Sequence, residues 1–212
     1  MKRLVLARCL AVAETEDTAQ KTDKERKKEL KAKADKDSRK EAKQLAKEGW
    51  RVMPGKLSLE KQLMESKYAE LDENADGGKM YFIGTNQSVG GNYTAAKQIA
   101  DSRARLEIAR AVNSTIAEKI QETMSTKDFG EGDVESVGEF ISANSGIVAA
   151  QLQGIMPVLE IYREGPKNTV EVMVLVKVNA AQALKNAKMA YRLELEKKSE
   201  KMAGDLDKIL PY

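Results

Sequence analysis

The sequence predicts an α+β fold, a two-layer sandwich in which a small, mostly antiparallel three-stranded sheet packs on long helices. Valine stands at every second position from 170 to 178, which is the alternation of a strand with one buried face. Residues 94–124 contain neither glycine nor proline and repeat their apolar side chains with a helical period. A short strand at 80–85 precedes that helix. We expect the alanine-rich stripe of the helix to cover the valine face.

The first segment, residues 1–20, has the outline of a secretory signal peptide, with a basic start and apolar residues after it. Arg8 interrupts the apolar run and stands where a lipoprotein signal needs a small residue before Cys9. The segment is either a degenerate signal peptide or the start of an ordinary amphipathic helix. The first alternative places the protein in the bacterial cell envelope or periplasm, and the second places it in the cytoplasm.

Residues 21–48 are a charged extension that alternates basic and acidic residues with few apolar ones. This composition predicts a solvated single helix or a partly disordered spacer, separable from the fold by proteolysis near Gly49. The alternative is a basic arm that binds nucleic acid, although interleaved acids are not typical of a phosphate-binding surface.

An α+β domain follows at 49–204, and Trp50 at its start is predicted to anchor the extension on the domain. A helix capped by Ser58 comes next, and residues 72–78 read as a polar turn because their spacing fails the calcium-loop pattern. After the long helix we expect a second helix at 134–151, a strand at 155–163 and a hairpin loop at 164–168. Pro157 places that strand at an edge or a bulge. A last helix begins at Asn179, and residues 205–212 form an apolar tail.

The composition narrows the function. The 212 residues carry 36 basic and 33 acidic side chains, a net charge of +3, one cysteine and no histidine. Nucleophile systems and metal sites that need histidine are therefore excluded, and the near-balanced charge creates no strong general field for nucleic acid. No window approaches the roughly 20 apolar residues of a membrane-spanning helix. We expect no enzyme activity, no cofactor, no metal and no small-molecule substrate.

Three motifs each admit a functional and a structural interpretation. The turn at 90–92 could bind phosphate at a helix N-terminus, but an ordinary strand-to-helix turn is favoured because the flanking phosphate motifs are missing. The charge cluster at 101–110 indicates surface ion pairs, which is the favoured interpretation, and a face that binds a partner is the alternative. Glu160 and Glu171 could face each other across the predicted hairpin, which alone is no sign of hydrolysis.

Ala96 to Val112 and Val170 to Val178 together resemble the LPP-twenty-type lipoprotein family, and a similar domain occurs in the flagellar accessory protein FlgT. The resemblance covers about residues 79–190, and it is a packing pattern of alanines in the helix and valines in the strand. It implies a secreted or lipid-anchored envelope protein with no established enzyme site.

These observations predict a non-catalytic cell-envelope protein that acts through protein contact or assembly, with an unknown envelope protein or with itself as partner. A nucleic-acid-binding module that uses residues 21–48 is the alternative. The apolar residues left over from the predicted core are the candidate partner contacts. They are Trp50, Ile209, Leu210 and Tyr212, of which the last three form the tail.

Overall fold

The computed structural model describes the backbone of residues 2–75, 77–126, 131–144 and 146–210, and the side chains of residues 25–75, 77–123, 135–144 and 146–210. The elements in chain order are α1 (Lys2–Lys47), α2 (Leu59–Leu71), β1 (Tyr81–Gly90), α3 (Tyr93–Thr126), α4 (Glu131–Ala143), α5 (Gly146–Gln151), β2 (Met156–Glu164), β3 (Val170–Asn179), α6 (Ala180–Glu196) and α7 (Glu200–Ile209). The predicted α+β sandwich is confirmed. The helix predicted at 134–151 is instead two helices, α4 and α5.

The three strands form one antiparallel sheet in the order β1-β3-β2, so the valine strand is central and the other two are edges. Thr85 lies opposite Leu175 on one side of β3, and Ile161 lies opposite Met173 on the other. The β2–β3 register shifts between Pro157 and Leu159. The predicted edge position and bulge at Pro157 are therefore both confirmed.

α3 lies very close to β1. A Cβ added to Gly84 would stand 2.1 Å from the Ala104 carbonyl oxygen, and one added to Gly90 would stand 2.6 Å from the Ala96 amide nitrogen. Backbone therefore meets backbone at both crossings, which only glycine on the strand and a small residue on the helix allow. The predicted close packing of the alanine stripe on the sheet is confirmed.

The main core fills the space between the valine face of β3, α3 and the helices α4 to α7. Val174 and Ile116 are both fully buried in this cluster, as their mid-strand and mid-helix positions predict. Tyr191 of α6 is also buried, and its hydroxyl donates a hydrogen bond to Asn113 Oδ1 at 2.7 Å. Burial raises the pKa of Tyr191 to about 12.

Helices also cover part of the second face of the sheet, which the sequence did not predict. Trp50 and Leu63 pack there against Ile161 and Leu175, which point away from the main core. The antiparallel pair of α1 and α2 brings these residues to the sheet, so the sheet has helices on both faces.

The charged extension is helical but is not solvated on all sides. Ala34, Ser38 and Ala42 of α1 are buried along one line, where small side chains let α2 approach closely. Polar contacts flank this line: Lys27–Glu73 at 3.2 Å, Arg39–Glu60 at 3.0 Å, Glu41–Lys67 at 2.9 Å and Asp35–Tyr68 at 2.5 Å. Of the two predicted alternatives the structure has the helix, and this helix packs on α2 instead of being solvated on all sides. Its separability by proteolysis near Gly49 stays a prediction.

Of the segment predicted as signal-like, residues 1–20, the structure places residues 2–20 in the first half of α1, and the side chains of the segment lie outside the described part. Within the described residues, no helical stretch combines the length and the apolar character that crossing a bilayer demands.

Candidate functional site

The predicted partner contacts are largely inside the molecule. Trp50 is only 4% exposed, and the guanidinium of Arg163 lies 4.7 Å from the centre of its ring. This is the intramolecular anchor that the sequence predicted, and it leaves little of the tryptophan for an outside partner.

The predicted apolar tail needs a correction. Ser199 caps α7, which continues to Ile209, so the predicted boundary at 205 falls inside a helix. Ile209 and Leu210 are buried in the main core rather than exposed, because α7 packs its apolar side inward. Tyr212 lies outside the described residues.

A buried carboxylate lies in the middle of β2. Glu160 is 8% exposed and accepts a short hydrogen bond from the Tyr93 hydroxyl. Its other oxygen lies 3.6 Å from Lys97 Nζ and 3.9 Å from Lys56 Nζ, and Lys97 is also 2.5 Å from Asp101 Oδ2. The cluster ties the first turns of α3 to β2.

The environment of this cluster shifts two pKa values. Burial and the hydrogen bond to the Glu160 carboxylate raise the pKa of Tyr93 well above its ordinary value. Burial alone would lower the pKa of Lys97, but the Asp101 and Glu160 carboxylates outweigh it, so that pKa is raised. Tyr93 therefore keeps its proton and Lys97 keeps its charge near neutral pH, which suits a fixed electrostatic tie more than proton transfer.

In the part of the chain that it describes, the structure gives no functional site at the other chemical motifs singled out in the sequence. Glu160 lies opposite Val174 and Glu171 lies opposite Arg163, so the two carboxylates do not face each other. Asn92 Oδ1 accepts a hydrogen bond from the Ala95 amide, so the helix start is capped by its own turn. Among the described residues, no group of three side chains is placed to hold a metal ion.

The free edge of β2 is covered. Arg51 forms a two-way backbone bridge with Tyr162, with N···O distances of 2.8 and 2.9 Å. The Glu160 amide donates to Gln62 Oε1 at 2.7 Å, and the Gln62 amide group donates in turn to the Leu57 carbonyl. These side-chain and backbone contacts come from the α1–α2 connection and from α2.

The free edge of β1 is open for most of its length. Amide direction alternates along an antiparallel strand, and the Thr85 amide points outward, where it donates to Glu107 Oε2 at 2.7 Å. The amides of Ile83, Gln87 and Val89 share that direction, and no described residue accepts a hydrogen bond from them. We call the outer side of residues 83–89 the open edge.

The surface of α3 beside this edge combines apolar and basic side chains at helical spacing. Ile99 and Leu106 are 40% and 41% exposed. Arg103, which lies between them in the sequence, and Arg110, which follows them, are also exposed. We call these four residues the α3 outer stripe. Spacings of four, three and four residues place them on one side of the helix.

The predicted surface ion pairs do not form on this stripe. Asp101 pairs with Lys97, and Glu107 turns to the Thr85 amide although it stands four residues after Arg103 and three before Arg110. Arg105 donates to the Leu152 carbonyl at 3.4 Å. Arg103 and Arg110 are therefore left without a carboxylate among the described residues, and ion pairing does not explain their presence.

A cavity of about 230 Å³ opens where β1 begins. It lies between the end of α2, at Ala69 and Glu70, and Ala111 of α3, with Tyr81 and Ile83 along its floor. The space continues the open edge towards the start of the strand.

No protein-family model matches the chain, and no curated protein or solved structure does either. The resemblance to the LPP-twenty-type family is therefore still a prediction. The cluster at 101–110 is the alternative partner face that the sequence indicates, but the open edge was not predicted. The outward direction of Thr85 depends on strand register, for which the local sequence carries no signal.

Proposed function

We propose that this chain is a non-catalytic protein of the bacterial cell envelope that acts through contact with another polypeptide. The observation that supports this best is the α3 outer stripe, where two exposed aliphatic side chains lie beside an open strand edge with two arginines that pair with no carboxylate of the described residues. Apolar groups with interspersed arginine are typical of protein interfaces. The envelope location draws support only from the signal-like outline of residues 1–20 and from the family resemblance.

The polar residues that could have served catalysis are engaged with one another. Glu160 binds Tyr93 and lies near two lysines, and these contacts join three elements of the fold. This use of the carboxylate favours a structural role. A turnover that is lost in Glu160→Gln, in a variant that still folds, would contradict the proposal.

Nucleic-acid binding by α1 receives less support. Lys27, Lys31 and Arg39 each lie within 4 Å of a carboxylate from α2 or the turn after it. Their charge is therefore partly used inside the molecule. A titration with duplex and single-stranded DNA at low salt separates the two functions, since phosphate binding is strongest there.

Photo-crosslinking in the producing cells tests protein contact directly. A benzophenone amino acid at Leu106 should form crosslinks to a polypeptide, whereas the same group at Leu193 should not. Leu193 is the matched control because it is 60% exposed on α6, away from the α3 outer stripe. Equal crosslinking at both positions, or none at Leu106, would contradict the proposed contact.

The N-terminal residue and mass of the protein from the same cells test its location. Cleavage near Gln20, or acylation of Cys9, would support export to the envelope. An intact N-terminus in the cytoplasmic fraction would contradict that part of the proposal.

A further inference from the structure

We propose that the open edge binds an extended segment of a partner protein, which adds to the sheet as a fourth strand beside β1 and directs acidic side chains towards α3. The inference rests on the proposed function and specifies how the contact is made and which chemistry the partner carries.

The backbone groups of the open edge supply the first argument. Ile83, Gln87 and Val89 present outward amides that no described residue bonds, and Val89 is 51% exposed. An incoming strand accepts hydrogen bonds from such amides and donates to the carbonyls between them. The ten-residue length of β1 gives room for several of these bonds.

Exposed strand edges are usually blocked, and β1 has few of the blocking features. Natural edge strands carry proline, lysine, inward charges or a covering segment. β1 has no proline and no charged side chain in its sequence YFIGTNQSVG, and Glu107 is the one described side chain that caps an outward amide. The edge thus keeps a template for pairing that the opposite edge of the sheet does not keep.

The α3 outer stripe sets the chemistry of the partner. Arg103 and Arg110 are seven residues apart on one helix, a separation of about 10.5 Å along the axis. In a strand, side chains on one face repeat about every 6.7 Å. An acidic residue at every second or fourth position can therefore reach both guanidinium groups, while Ile99 and Leu106 cover apolar parts of the same face.

A second copy of the chain fits this surface poorly. Pairing β1 with its own copy would set two α3 helices side by side, because α3 touches β1 directly at Gly84 and Gly90. Strands pair at about 4.8 Å, whereas packed helices need 8–10 Å. The outer stripes would also oppose each other, with arginine facing arginine. A separate extended segment has neither problem.

Glu107 occupies one of the outward amides that a new strand would need. The carboxylate must leave the Thr85 amide before that amide can bond a new strand, and it repels an acidic segment. Glu107→Gln should therefore tighten binding of an acidic strand several-fold.

The test uses the full chain and a pool of capped ten-residue peptides in which Glu or Asp alternates with Val, Ile, Thr or Phe. We expect amide shifts at Ile83, Gln87 and Val89 in NMR spectra and binding in the range of about 0.1 mM or tighter. A matched pool with Lys and Arg in place of the acids should not bind. The tightest acidic peptide should lose binding when alternate backbone amides are N-methylated, because strand addition needs them.

Two further variants of the protein and one charge-matched control complete the test. Arg103→Glu with Arg110→Glu should weaken binding tenfold or more, while Lys40→Glu with Lys43→Glu on α1 makes the same charge change and should have little effect. Gln87→Pro removes one outward amide and leaves the backbone hydrogen bonds to β3 in place; it also removes the exposed 3.3 Å side-chain hydrogen bond from Gln87 to Glu171. It should therefore weaken binding without loss of the fold.

Each outcome decides between the alternatives. No binding by any acidic peptide, or equal binding by the basic pool, overturns the inference. Self-association that Gln87→Pro abolishes would identify a second copy as the occupant and also overturn it. If Leu106 still crosslinks to a polypeptide while the acidic pool fails, the proposed function stands and strand addition does not.

Discussion

The two edges of the sheet differ in how they are protected. At β2, Arg51 and Gln62 accept and donate the hydrogen bonds that a neighbouring strand would make, with Tyr162 and Glu160 as their partners. At β1, Glu107 takes the Thr85 amide and the outward amides on either side have no described acceptor. One edge is closed by the fold itself, and the other is left with a template for pairing.

The two edges differ because the segments that cover the sheet lie mainly on the β2 side. The α1–α2 pair and the connection between them reach the face of the sheet next to β2, where Trp50 is buried. Only small parts of α2 approach β1, near the 230 Å³ cavity. β1 is instead held from one face by α3, whose outer stripe lies beside the open edge.

Loss of the Trp50 side chain should lower stability more than any other change, and its local effect should be confined to the β2 edge. Trp50→Ala is expected to lower the free energy of unfolding by about 3–5 kcal/mol, because a buried indole is replaced by a cavity. Amide exchange at Tyr162 should accelerate, while exchange at Gly84 changes only as far as global stability does. The control variant Trp50→Phe should lose less unfolding free energy. Urea unfolding that shows a loss below about 1 kcal/mol would mean that Trp50 does not hold the β2 side.

The β1 side should depend on its contact with α3. Gly84→Ala should destabilise by about 1–3 kcal/mol or more, because the added Cβ meets the Ala104 carbonyl at 2.1 Å and backbone cannot move aside cheaply. Gly91→Ala is the matched control, since a Cβ there meets nothing within 4 Å. Equal thermal unfolding of both variants would show that α3 does not lie this close to β1.

The buried side chain that closes the β2 edge gives a smaller, local effect. Gln62→Met removes hydrogen bonds to the Glu160 amide and the Leu57 carbonyl, both 2.7 Å long, and should cost about 1–3 kcal/mol. The Glu160 amide should then exchange faster. Gln44→Met, at an exposed site on α1, should change stability by less than about 0.5 kcal/mol. An unchanged exchange rate at Glu160 would contradict the assigned role of Gln62.

Alkaline pH should weaken the tie between α3 and β2. The raised pKa of Tyr93 means that the folded protein keeps a proton which the unfolded chain loses above about pH 10. Stability should therefore fall as pH rises from 10, by up to about 1.4 kcal/mol per pH unit for this group. Tyr93→Phe should be less stable at pH 8 but should show a shallower fall between pH 9 and 11. Tyr191→Phe removes a second tyrosine whose pKa is raised in the folded protein. If neither variant changes the slope of stability against pH, the raised pKa values are contradicted.

Most of the main domain followed from sequence patterns. The alternating valines fixed the buried face of β3, and the alanine period of α3 fixed the helix that covers it. Both signals are local, because neighbouring residues in a strand or helix share a face at fixed spacing. The caps at Ser58 and Asn179 were found for the same reason.

What the sequence did not indicate depends on contacts between distant residues. α1 docks through Ala34, Ser38 and Ala42, whose small side chains give almost no hydrophobic signal in a charged segment. Ile209 and Leu210 were assigned to a tail after the last predicted helix, but a new helix capped by Ser199 includes Ile209 and packs both residues inward. The open edge follows from the register of β1 on β3, which a one-residue shift would reverse.

Amide hydrogen exchange of the unmodified protein tests the contrast between the edges most directly. The outward amides of the two edge strands are compared residue by residue by NMR under native conditions. We predict that Ile83, Gln87 and Val89 exchange at rates close to those of unstructured chain, while Glu160 and Tyr162 are protected nearly as well as the inward amides of the same strands. Comparable protection at both edges would show that another part of the chain covers β1, and it would contradict the difference between an open and a closed edge.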